Sequence, residues 1–189
     1  MELMGLYLIG CTLLIFAGVM KAARPDDTAR ALVALAPTRF RALFPVRRIR
    51  TMIRIAATLE AGLGVVAVAV PRSVTAALVA ASYVVFAGVV AYARSRGGAL
   101  ASCGCFGTPD TPATLVHMLV DLALAIAATA VATAAPATGT IFTALGRQPF
   151  DGLPLLAVSA VGAWLTYLSL SLLAALEAAR RNVGVPEGR

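Results

Sequence analysis

Charge is scarce in this chain. Only 13% of its 189 residues are Asp, Glu, Lys or Arg, while 60% are hydrophobic. A soluble domain carries about 25% charged and about 45–50% apolar residues, so an ordinary soluble fold is excluded. Histidine occurs once and cysteine three times. Even pooled, the two neighbouring cysteines and the histidine give three ligands, short of the four of a closed zinc site. Two thiolates alone would suit copper(I), but there is no second cysteine pair, and no metal is expected. Acidic residues number 9 against 16 basic. The resulting charge of +7 would direct a soluble protein towards nucleic acid. No basic module with interleaved aromatics is present, however, and the arginines flank apolar runs, where the positive-inside effect and anionic headgroups account for them. The expected partner is the lipid bilayer, and nucleic acid is not.

What the chain has in abundance is apolar blocks of about 18–22 residues, long enough to cross a hydrocarbon layer of roughly 30 Å as helices. They predict an all-α membrane protein with five spans, at residues 3–22, 51–70, 74–93, 113–134 and 153–176. The first block lacks a basic lead-in, is preceded by the acidic Glu2 and ends on Lys21 instead of a small-residue cleavage site, so it reads as a retained helix. Gly5, Gly10 and Gly18 give it small positions for close helix contact. Cys11, in its middle, reads as a small hydrophobe, and Lys21 as an end-of-helix residue that snorkels to the headgroups.

The longest polar connection is 24–50. Asp26 and Asp27 are suited to cap a short helix from about Thr28, with Ala31, Leu32 and Leu35 at helical spacing; Pro37 interrupts it and Phe40, Leu43 and Phe44 follow. The pattern fits an amphipathic segment in the interface, with a plain solvated loop as the alternative. Pro71-Arg72-Ser73 is so short a turn that the second and third spans must be antiparallel neighbours. Residues 135–152 read as a small-residue loop and 177–189 as a polar tail. Because spans alternate in direction, the 24–50 connection and the loop between the third and fourth spans share one face.

Glu60, Asp121 and His117 lie within the apolar blocks. Glu60 and Asp121 fall about 13 Å and about 12 Å into the second and fourth spans, at 1.5 Å per residue, and His117 is one turn from Asp121 on the same helix face. A carboxylate inside a bilayer must be protonated, paired or hydrated. Glu60 and Asp121 therefore form either a structural polar pair joining their helices or part of a proton relay. Lys21, Glu60, His117, Asp121 and the loop cysteines are all positioned to face one cavity.

That loop contains Ser102-Cys103-Gly104-Cys105-Phe106-Gly107, the one place where two cysteines meet, between Arg94, Arg96 and Pro109. Two thiols one glycine apart can close a small, strained ring, and strained disulfides are the labile, oxidising kind. His117 and the two arginines are suited to favour a thiolate. The plain alternative is two small residues in an ordinary loop.

These residues resemble a known family. Ala17-Gly18-Val19-Met20-Lys21, Leu59-Glu60-Ala61-Gly62, Cys103-Gly104-Cys105-Phe106-Gly107 and Asp121-Leu122-Ala123-Leu124 are similar to segments of the methylamine utilisation protein MauE family, relatives of the DoxX-like redox-associated membrane proteins. The resemblance covers about residues 1–135, and 136–189 would add a loop, a fifth span and a tail. It implies a four-helix membrane bundle acting with a thioredoxin-like partner, or on a disulfide-containing client, in disulfide formation or maturation. Cys103 and Cys105 would be the exchanging pair, His117 an acid or base, and Lys21, Glu60 and Asp121 the polar membrane core. No residue requires a cofactor, although quinone use is compatible with a membrane thiol oxidase. The rival expectation is a membrane scaffold or small-solute transporter subunit in which the cysteines are incidental. Of the 16 basic residues, 14 fall on the cysteine-loop face or in the tail, with Arg72 and Arg147 opposite. The charge rule thus sets the loop at the cytoplasmic side of the cell membrane and the N-terminus outside, whereas a role in disulfide formation favours the reverse.

Overall fold

The structure is a computed structural model and describes residues 3–35, 45–95, 114–134, 140–146 and 148–183. It is helical throughout the described elements: α1 Met4–Ala23, α2 Pro25–Leu35, α3 Val46–Ala69, α4 Ser73–Ser95, α5 Leu115–Ala134, the five-residue α6 Ile141–Leu145, a 3-10 turn Pro149–Gly152 and α7 Leu153–Val183. Five helices are long and apolar enough to cross a membrane: Met4–Ala23, Arg47–Ala69, Ser73–Ser95, Leu115–Ala134 and Pro149–Leu173. Their outward faces carry Leu, Val, Ile and Trp side chains such as Leu59, Val74, Ile126, Val158 and Trp164, as a lipid-facing surface requires.

The central element is α1, which packs against α3, α5 and α7. Its contact with α3 depends on small residues. A Cβ added at Gly18 would lie 2.7 Å from the Ala57 carbonyl oxygen and 2.7 Å from the Ala61 nitrogen, and one at Gly64 would lie 3.0 Å from the Cys11 carbonyl oxygen. Both glycines let two backbones meet, which is how helices associate where hydrophobic burial gives no net drive. Cys11 is fully buried in the core formed with Tyr7, Leu14, Val79 and Tyr83, in keeping with its reading as a small hydrophobe.

Two tyrosines tie the helices through main-chain oxygens. The Tyr7 hydroxyl donates to the Ala67 carbonyl at 3.1 Å. Four residues on stands Pro71, which has no N–H to offer that carbonyl, so Tyr7 supplies the missing donor. The Tyr83 hydroxyl donates to the Gly10 carbonyl at 2.6 Å. The turn between α3 and α4 is as short as the sequence demands, and Thr75 closes it by donating to the Val70 carbonyl and accepting from the Arg72 N–H.

Several boundaries differ from the sequence reading. The helix at 25–35 begins at Pro25, with Asp26 and Asp27 inside its first turn, because proline is favoured at the first helical position and acids suit the positive end. It is a helix, not a plain loop, and Ala29 and Val33 pack against Ile49 and Ile53 of α3. Asp26 pairs with Arg50 and Asp27 with Arg30. The second span does not begin at Thr51: α3 starts at Val46, right after Pro45, since the arginines between are good helix formers and extend the helix beyond its apolar part. The fifth helix likewise runs on to Val183. The expected interfacial residues Pro37, Phe40, Leu43 and Phe44 and the end of the tail lie outside the described residues.

Candidate functional site

The polar residues gather at one end of the bundle. Chain direction brings there the end of α1, the start of α3, the end of α4 and the start of α5. The antiparallel register of α1 on α3 is fixed by Tyr7 against Ala67 near one end and Lys21 against Glu60 towards the other.

Lys21 does not reach out to the headgroups. It is 9% exposed, and its Nζ lies 2.9 Å from both carboxylate oxygens of Glu60. Side chains on a helix lean back towards its N-terminus, so the long Lys21 stem runs down into the bundle. The same Nζ sits 4.4 Å from the centroid of the Phe86 ring on α4, where the negative face of the ring adds a cation–π attraction. One ammonium thus joins three helices. The pair neutralises both charges, which is what makes a carboxylate tolerable at this depth. Glu60 therefore pairs with Lys21 of α1, and not with Asp121 of α5.

On α5 the buried residues at the start are Thr114 and His117, 5% and 6% exposed. Thr114 immediately precedes the helix. Its Oγ1 lies 2.8 Å from His117 Nδ1 and accepts the His117 backbone N–H at 3.4 Å, so it caps an orphan donor of the first turn. Asp121, one turn further along, is half-buried. Thr114 was absent from the sequence reading, although a threonine directly before an apolar run is a recognisable N-cap signal.

Cys103 and Cys105 lie outside the described residues, as does Arg96. The described residues on either side, Ser95 at the end of α4 and Thr114 at the start of α5, stand at the same end of the bundle as Lys21. Among the described residues no group of three or more His, Cys, Asp or Glu side chains could hold a metal ion. Chemically, this end of the bundle offers a neutralised ion pair that fixes helix positions, and an imidazole held by a hydroxyl.

The family model described as methylamine utilisation protein MauE matches residues 2–135. Neither a curated protein nor a solved structure matches the chain.

Proposed function

The chain belongs to the methylamine utilisation protein MauE family, and from that premise we propose that it is a membrane thiol–disulfide redox protein acting through Cys103 and Cys105. The observation that carries the reading is the pairing of a Cys-Gly-Cys segment with a buried histidine at the re-entry point of the same connection, three residues into the described chain. In the oxidising direction a thiolate of a partner dithiol attacks the Cys103–Cys105 disulfide. That S–S bond breaks, a mixed disulfide forms and the released thiolate takes up a proton. The partner's second thiolate then displaces the remaining loop thiolate, which is protonated in turn. Two electrons pass to the loop pair and the partner leaves as a disulfide. Repeated turnover requires a two-electron acceptor, for which a lipid-soluble quinone has suitable chemistry. The partner we assign is a thioredoxin-like protein or a disulfide-containing client.

In this reading His117 serves the thiols, while Lys21 and Glu60 hold the helices that frame them. Asp121 is the remaining polar group one turn below His117 and is assigned to proton movement. The region 1–135 forms the redox bundle, and the fifth span is an addition. The charge distribution supports a cytoplasmic cysteine loop with the N-terminus outside, the orientation opposite to the one that disulfide formation favours, so labelling of the two faces decides the direction of exchange. A thiol-alkylation gel shift in a Cys11→Ala background tests the role. The reading expects two extra labels after reduction and none after mild oxidation; labelling that is insensitive to oxidation, at any strength short of protein damage, contradicts it.

A further inference from the structure

The start of α3 carries the wrong charge for a helix on its own. Helix N-termini are positive and favour acids. The first turn of α3 has no acidic residue, contains Arg47 and Arg48, and follows Pro45 with no side-chain cap. Arg47, Arg50 and Arg54 are spaced i, i+3 and i+7, so they share one face of the helix, and all three are exposed. Arg50 is paired with Asp26 of α2, and the other acid of α2, Asp27, is taken by Arg30. Arg47 and Arg54 make no ion pair among the described residues. Acids elsewhere cannot neutralise this face of the membrane. The cysteine-loop face and the tail together hold 14 basic and seven acidic residues, and residues 36–44, which lead into α3, contain two arginines and no acid.

Further along α3 the same face becomes apolar. Thr58, one turn on from Arg54, turns its hydroxyl back to the Arg54 carbonyl at 2.8 Å. Gly62 has nothing within 4 Å of an added Cβ, and Val65 is 54% exposed. The Arg54 Cα lies about 10 Å along the helix from that of Arg47 at 1.5 Å per residue. Side chains lean towards the helix N-terminus, so the Arg54 stem runs back towards Arg50 and Arg47, where a guanidinium snorkels to the headgroups. A face that is cationic for two turns and apolar thereafter matches an amphiphile. We infer that this face of α3, flanked by α2, binds one anionic phospholipid: Arg47 and Arg54 hold its phosphate, and Thr58, Gly62 and Val65 line its acyl chain. Guanidinium groups bind phosphate oxygens through paired N–H donors, and the headgroup supplies the negative charge that the start of α3 lacks. The Asp26–Arg50 pair holds α2 at the edge of the site. The apolar half of the face commits the site to a lipid and not to free phosphate. Nothing in this inference depends on the proposed redox role.

The test is native mass spectrometry of the full chain released from detergent micelles, titrated with phosphatidylglycerol and, separately, with phosphatidylcholine of the same acyl chains. The first phosphatidylglycerol should bind about tenfold or more tightly than the first phosphatidylcholine, whose own ammonium opposes the arginines. Arg47→Gln and Arg54→Gln should each weaken the first phosphatidylglycerol about fivefold, the effect of one basic residue near an anionic headgroup. Arg48→Gln removes the same charge from the same turn but off this face, and Arg72→Gln removes one at the other end of the bundle; both should leave the affinity nearly unchanged. Inorganic phosphate in excess should not displace the lipid. Equal affinity for the two lipids overturns the inference, and does so on the wild-type chain even if a variant fails to fold. Equal losses for Arg47→Gln and Arg48→Gln would reduce the site to diffuse surface charge, and displacement by inorganic phosphate would make it a site for a free anion; either result overturns the inference too.

Discussion

Lys21 Nζ stands 2.9 Å from each carboxylate oxygen of Glu60, so α1 and α3 are joined by an ion pair inside the bundle. Removing one partner leaves the other charge buried and unmatched. Lys21→Met or Glu60→Met alone should therefore destabilise by about 3–5 kcal/mol, while the double variant should lose much less because no charge remains. Thermal unfolding of the four proteins in one detergent checks this. Equal losses for single and double variants would mean that the contact contributes through packing and not through charge.

Much of this architecture was legible in the sequence. Five apolar blocks bounded by arginine, proline and glycine gave the spans, because in a bilayer every backbone group must be satisfied inside a helix. Pro71-Arg72-Ser73 gave the antiparallel pair because so short a connection leaves two helices side by side and reversed. The partner of Glu60 was not legible: spacing places residues at a depth, but the rotation of each helix about its axis is set by packing. That packing turns on Gly18 and Gly64, whose neighbours appear only in three dimensions. The sequence places Lys21 with Glu60 in the polar core but does not show the direction of its side chain: a helix-end position suggests the headgroups, whereas the chain points back along α1 to Glu60. The early start of α3 was hidden because Arg47, Arg48 and Arg50 look like loop charges, although nothing in them ends a helix.

The α1–α3 contact should be intolerant of added bulk where backbone meets backbone. Gly18→Ala places a methyl 2.7 Å from main-chain atoms of Ala57 and Ala61, which can yield only if the helices separate. The expected loss is about 1–3 kcal/mol, typical of overpacking. Gly62→Ala is the internal control, since nothing lies within 4 Å of its added Cβ; it should be neutral or stabilising by up to about 1 kcal/mol. Detergent unfolding midpoints measure both, and equal effects at the two sites would contradict the close helix approach.

Sidedness can be read directly. In a Cys11→Ala background, Cys103 and Cys105 should react in intact cells with a membrane-permeant maleimide and resist an impermeant one, as the basic residues on that face require. Ready reaction with the impermeant reagent would reverse the orientation and place the loop outside the cytoplasm. Cys11→Ala itself should leave redox behaviour unchanged, because Cys11 is enclosed by the α1–α3–α4 core.

His117→Ala should slow thiol–disulfide exchange without abolishing it. Acid–base groups in good position contribute about 100- to 10,000-fold, and the expected loss lies within or below that range. Stopped-flow exchange with a small disulfide measures the effect. An unaltered rate would detach the Thr114–His117 pair from the chemistry.

The central claim is that Cys103 and Cys105 exchange disulfides with a protein partner, and trapping the mixed disulfide tests it most directly. Each cysteine is replaced by serine in turn, the cells are quenched with acid and alkylated, and non-reducing gels are probed for a covalent adduct. One thiol attacks and the other resolves. The account therefore predicts a reducible adduct with a thioredoxin-like protein or a disulfide-containing client in one of the two variants, and none in the double variant. Absence of an adduct from both single variants, together with full function of both in a complementation assay, would contradict it.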